Sequence, residues 1–215
     1  MKGKDLHQKL RDIRDTLSRQ HATRLHRAIS WAEAADKYSA DKDQAFLNLW
    51  IAFNSCYAVE NDGAMISERR SFNIFIETLV SLDKEKKLYN TLWMNFSKFT
   101  RVLIDNQYVF EPFWASQRNG DELWKSSFES AKRAAYSALA NNDVPVLLSI
   151  VFDRLYVLRN QLAHGGATYG SSINREQVTS GANFMSHIVP IIIDIMLTTG
   201  DETTDWGPIS YPVIE

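Results

Sequence analysis

Leu158-Arg159-Asn160-Gln161-Leu162-Ala163-His164-Gly165-Gly166-Ala167-Thr168 is the stretch from which the rest of this chain can be read. Upstream of it, Leu147, Val151, Leu155, Leu158 and Leu162 recur at helical spacing and form one apolar face. Asp143 suits the position that caps such a helix, and Pro145 suits its first turn. Gly165 and Gly166 suit its end, because glycine takes the left-handed conformation without a Cβ penalty. Asn160 and His164 are four residues apart and share a face of this helix. Arg159 lies five residues before His164, about 7.5 Å along the axis, within reach of its long side chain. The last turn is therefore expected to present a guanidinium, an amide and an imidazole near one point.

Helical periodicity continues in both directions. Leu6, Leu10, Ile13 and Leu17 form one stripe, extended by Leu25, Ile29 and Ala32. This predicts a first helix running to about Tyr38 or broken near Ser18–Ala22. Phe46, Leu49, Trp50, Phe53 and Tyr57 predict a second helix, ended by Glu60-Asn61-Asp62-Gly63. Ser67 to Leu79 predicts a third, and Leu82 to Ile104 two shorter ones. Asp105 to Gly120 contains Pro112, Gly120 and several aromatics, and reads as a long surface connection of a kind that is often functional. Asp121 is expected to cap a helix carrying Leu123, Trp124, Phe128 and Ala131. A polar loop, 167–173, leads to a last helix capped by Asn174 and running to about Thr198, followed by an irregular tail over 200–215. The expectation is one all-α domain over 1–215, with residues 1–38 as an N-terminal helix or helix pair.

Composition narrows the function classes. The chain has 215 residues, 45% hydrophobic and 12% aromatic, enough to bury a core. A net charge of -2 excludes a global basic field, so any nucleic-acid site must be a local patch. The single cysteine, Cys56, excludes an internal disulfide framework. Met1-Lys2-Gly3-Lys4-Asp5 lacks the apolar run of a signal peptide, and Ile188–Leu197 is too short to span a bilayer. A soluble, cytoplasmic protein without a membrane partner is expected. Gly165-Gly166 lacks the Gly-Lys-Ser/Thr of a phosphate-binding loop, and no Gly-x-Ser-x-Gly elbow occurs. His7, His21 and His26 have no zinc-ligand spacing with Cys or acidic partners.

Guanidinium, amide and imidazole together suit phosphodiester chemistry on RNA. Imidazole titrates near neutral pH and can take the proton of a ribose 2′-hydroxyl or give one to the leaving 5′-oxygen. Guanidinium binds a phosphate bidentately and stabilises the charge that builds on it. No metal or cofactor is needed where the substrate supplies its own nucleophile. Spacing alone decides little: Arg14–His21 and Arg19–His26 also place arginine a few residues before histidine. The bland alternatives are a helix-end cation at His164, a surface ion pair of Arg159 with Asp153 or Glu176, and a helix-end hydrogen bond at Asn160.

The motif and its helix-end setting resemble the signature of HEPN proteins. Leu49-Trp50-Ile51-Ala52-Phe53-Asn54-Ser55 is similar to an upstream helix of many members, and the last helix and Asp205-Trp206-Gly207-Pro208 add to the likeness. The resemblance covers about residue 40 to the end. It implies a HEPN-type helical bundle, here with extra peripheral helices. It further implies a homodimer with one composite site, and metal-independent endoribonuclease activity leaving a 2′,3′-cyclic phosphate. A toxin or phage-defence role is implied too, with a possible antitoxin or defence-system partner protein. Arg159 and His164 match the catalytic pair and Asn160 the polar residue after the arginine. One toxin branch has a tyrosine two residues after the histidine; here that position is Gly166, and Tyr169 stands at the wrong spacing. Other HEPN domains are non-catalytic modules that bind RNA, a nucleotide or a protein. Asn54, Tyr57 and Tyr169 are supporting candidates. Arg69 and Arg70, the 84–87 lysine run, and a basic first helix with Arg11, Arg14, Arg19, Arg24 and Arg27 are candidates for RNA contact.

Overall fold

The computed structural model describes residues 2–58, 68–172, 174–200, 204 and 206–211, with side chains in the fourth helix from Arg70 onward. The predicted turn at Glu60–Gly63, Ser67, the Arg69 side chain, Ile173 and Asp205 lie outside the described residues. Among the described residues the fold is all-helical: α1 Gly3–Ile13, α2 Arg19–Lys37, α3 Lys42–Tyr57, α4 Glu68–Leu82, α5 Lys87–Asn90, α6 Ser97–Asp105, α7 Glu111–Asn119, α8 Trp124–Ala140, α9 Val144–Ala163 and α10 Arg175–Thr199. The chain divides into two compact units, Met1–Glu85 with Gly181–Glu215, and Lys86–Ser180.

In the first unit the predicted N-terminal stripe breaks once. A 3-10 turn at Arg14–Thr16 follows α1, and the Ser18 side chain then caps α2 by accepting from the His21 amide. The helices pack α1 on α2 and α2 on α3. Leu6, Leu25, Ile29, Phe46 and Phe53 are fully buried there. α1 meets α2 closely: a Cβ at Gly3 would stand 2.6 Å from Glu33 Cγ and 3.0 Å from its Cα. Asp41 caps α3 by accepting from the amides of Asp43 and Gln44.

α10 is long and apolar enough to cross a membrane by length and composition, and 72% of that window is buried inside the protein. Its buried Asp194 is paired by Lys9 Nζ at 2.5 Å. Of the tail, expected to be irregular, residues 206–208 are held by hydrogen bonds. Arg24 is buried, and its Nη2 donates to the carbonyls of Gly207 (2.8 Å) and Pro208 (3.3 Å). Trp206 stacks on His21 and donates to the Gly200 carbonyl. Arg24, one of the basic-helix candidates for RNA contact, is thus buried with its guanidinium on the tail's carbonyls.

In the second unit α5 runs into a π-helical turn at Thr91–Asn95 and then α6. The expected surface connection 105–120 is partly helical. It contains a 3-10 turn at Gln107–Val109 and α7, whose first turn holds Pro112 and whose end is closed by Gly120 at φ +72°. Proline is tolerated in a first turn because the amide it lacks would be unpaired there anyway. Asp121 accepts from Leu123 N rather than capping α8 directly, and the Ser116 hydroxyl accepts from Trp124 N. α9 follows its predicted boundaries, with Asp143 accepting from Val146 N. Arg154 is buried against the rings of Phe110 and Phe128, its guanidinium carbon 4.4 and 5.6 Å from their centroids.

Candidate active site

The end of α9 is shaped by local chemistry. His164 N closes on Asn160 O, and Gly165 then turns left-handed at φ +71°. Ala167 N returns to the Gln161 carbonyl at 2.9 Å, which satisfies one of the helix's last free acceptors. This exit leaves little room at Gly166, where a Cβ would lie 3.3 Å from Gln161 O.

A cavity of about 860 Å³ opens beside this helix end, entirely within the Lys86–Ser180 unit. Asn160, Gln161, His164 and Gly166 line it from the motif. The buried Val157, Leu158 and Val109 supply apolar wall. Tyr108, Glu111, Trp114 and Arg118 line it from the 105–120 segment, and Asn174 and Gln177 from the start of α10. Its volume falls in the range of small-ligand sites, roughly 300–1,000 Å³.

Gln161 ties these walls together. Its Nε2 donates to the Tyr108 carbonyl at 2.8 Å, and its Oε1 accepts from Asn174 Nδ2 at 3.2 Å. The same Tyr108 carbonyl accepts from Trp114 Nε1 at 2.8 Å. One glutamine thus fixes the turn before α7 and the start of α10 against the motif helix.

The three motif residues are not equivalent. Asn160 and His164 line the cavity, and the His164 side chain is exposed. Arg159 is not among the lining residues. Its Nη1 donates to Asn160 Oδ1 at 2.9 Å, and its guanidinium lies 5.5 Å from the Tyr156 ring centroid. Helix geometry accounts for this: five residues correspond to a rotation of about 140° between Arg159 and His164. Asn160, between the two, touches both the cavity and the guanidinium.

None of the other described candidates is among the residues lining this cavity. Tyr169 is exposed and absent from the lining. Asn54, Tyr57 and Arg70 belong to the first unit. Tyr57 packs in an aromatic cluster with Phe53, Phe72 and Phe75, at centroid distances of 5.0–5.9 Å. Asn54 Oδ1 is buried with no hydrogen-bond partner among the described residues. Arg70 is exposed on α4. Among the described residues there is no group of three or more His, Cys, Asp or Glu placed to hold a metal ion.

As site residues, Tyr108, Trp114, Gln161, Asn174 and Gln177 are not apparent from the sequence, where Gln161 is only part of the motif string and Asn174 only a helix cap. The available signal was the run of aromatics in 108–114, whose partners are distant in sequence. No family model, curated protein or solved structure matches this chain.

Proposed function

We propose that this chain is a HEPN-type, metal-independent endoribonuclease acting in the cytoplasm, with a toxin or phage-defence role. The observation that carries this reading is the shared placement of Asn160 and His164 on one cavity wall, with Arg159 hydrogen-bonded to Asn160. The 2′-oxygen of the RNA attacks the adjacent phosphorus and the P–O5′ bond breaks. A 2′,3′-cyclic phosphate and a 5′-hydroxyl result. His164 takes the 2′-hydroxyl proton or supplies one to the leaving 5′-oxygen. Arg159 binds the phosphate and stabilises the charge building on it. Asn160 orients the guanidinium.

The active species is a homodimer in which two motif helices meet. The placement of Arg159 off the cavity wall supports this, since a second copy brings another guanidinium to the same chemistry. A partner protein that silences or triggers the enzyme belongs to the same proposal.

The test is cleavage of single-stranded RNA in chelator. His164→Ala should lower the rate roughly 10²- to 10⁴-fold. Arg159→Ala should lower it roughly 10²- to 10³-fold. Equal cleavage by wild type and His164→Ala would sink the catalytic assignment.

One observation favours a second reading, a non-catalytic binding module. The cavity's charged lining includes Glu111 and Arg118, paired at 3.5 Å, and much of the remaining polar lining is amide. Binding that survives His164→Ala, with no products from wild type, would favour it.

A further inference from the structure

The cavity beside α9 has a chemistry of its own, distinct from that of the phosphate. Its wall offers aromatic surface at Tyr108 and Trp114, which are 53% and 37% exposed. Its Arg118 is offset by Glu111 on the same helix. It therefore presents no excess of positive charge to a phosphate. Its amides are partly uncommitted: neither Gln177 nor the Asn160 Nδ2 group makes a hydrogen bond among the described residues, while Asn160 Oδ1 accepts from Arg159. A neutral planar group with donors and acceptors on its edge matches this lining, and an unpaired base of RNA is such a group.

We infer that the cavity is a subsite for one unpaired nucleobase, stacked on Tyr108 and met at its edge by Asn160 and Gln177. This rests on the ribonuclease reading, in which Arg159 and His164 handle the neighbouring phosphate. Trp114 and Gln161 are positioning residues. Both donate to the Tyr108 carbonyl and so fix the platform on which the base stacks. Asn160 joins the two halves of the site, with one side on the base and its Oδ1 on the guanidinium.

The volume is consistent with this ligand. About 860 Å³ exceeds what one base needs and leaves room for its ribose. Base stacking on an aromatic side chain is sequence-tolerant, so Tyr108 sets affinity and the amides set which base is preferred.

The experiment uses the full chain carrying His164→Ala, so that RNA stays intact. A short fluorescein-labelled single-stranded RNA is titrated by anisotropy. The same RNA bearing thiouridine is photocrosslinked, and the attached peptide is identified by mass spectrometry. Tyr108→Leu, which keeps apolar volume without a π face, should weaken binding roughly 5- to 100-fold. Tyr108→Phe should restore affinity relative to Tyr108→Leu, and crosslinks should fall within 106–118. Circular dichroism and thermal unfolding of each variant separate loss of the platform from loss of the fold. Unchanged affinity in a folded Tyr108→Leu chain, or crosslinks confined to other peptides, overturns the subsite. If wild type still cleaves RNA in that case, the nuclease reading stands without it. Crosslinks at 106–118 with no cleavage by wild type keep the subsite and sink the nuclease. Absence of any RNA binding overturns both.

Discussion

Burial of Arg154 against Phe110 and Phe128 places a cation where water solvates it poorly, and desolvation pushes its guanidinium down to about 10. It still carries its charge at neutral pH, held over two ring faces. Arg154→Ala removes both the stack and the volume, and should cost about 2–4 kcal/mol in urea unfolding. Arg154→Met keeps the volume and should recover most of that loss. Equal stability of the alanine variant and wild type would contradict the packing described. Cys56 makes the opposite case, an acid kept neutral. Burial pushes its thiol from 9.0 to about 12, against the opposing pull of Arg24. The unfolded thiol ionises near its ordinary value while the folded one does not. Stability from this group is therefore full below pH 9 and falls as pH rises toward 12. Native protein at pH 8 should resist a thiol-specific chromogenic reagent until urea unfolds it. Rapid stoichiometric reaction of native protein would contradict the burial of Cys56.

At the scale of elements, the end of α9 depends on one backbone conformation. Gly165 sits at φ +71° with open space around its Cβ position, so a substitution there strains only the backbone. Gly165→Ala should cost about 1 kcal/mol, read as a shift in the urea midpoint with an unchanged slope. No measurable change would mean that the helix exit is not left-handed. This helix was legible in the sequence because its signals are local. Asp143, Pro145 and Gly165 each act within a turn of their own position. The 105–120 segment was not legible for the same reason turned round. Pro112 resembles a breaker until its place in the first turn of α7 is known. The contacts of Tyr108 with Gln161 span 53 residues, beyond any periodicity. Nothing periodic marks Gly207 in the sequence, yet Arg24 holds its carbonyl across 183 residues. Of the motif, spacing put Asn160 and His164 on one face, and the 860 Å³ cavity is lined by both. The same spacing sets Arg159 about 140° from His164 around the helix, and its side chain turns toward Tyr156 and Asn160.

For the whole molecule, the proposed homodimer has a consequence that one chain alone does not. A mixing experiment follows. Arg159→Ala and His164→Ala homodimers should each be nearly inactive, while a mixture equilibrated through subunit exchange should recover part of the cleavage. Recovery requires that the guanidinium of one chain serve the imidazole of the other. No recovery, with exchange demonstrated by labelled chains, would place the whole site in one copy or in none. The charge of -2 adds a constraint on how RNA is held. A local site should give a shallow dependence of affinity on salt compared with a basic groove that contacts many phosphates. The proposed 2′-hydroxyl attack assisted by His164 is tested by product-end analysis, using mass spectrometry after digestion in chelator. Wild type should leave a 2′,3′-cyclic phosphate end, His164→Ala none, and no cut should occur where the scissile ribose is 2′-deoxy. A 3′-hydroxyl end, or equal cutting at the 2′-deoxy position, would contradict it.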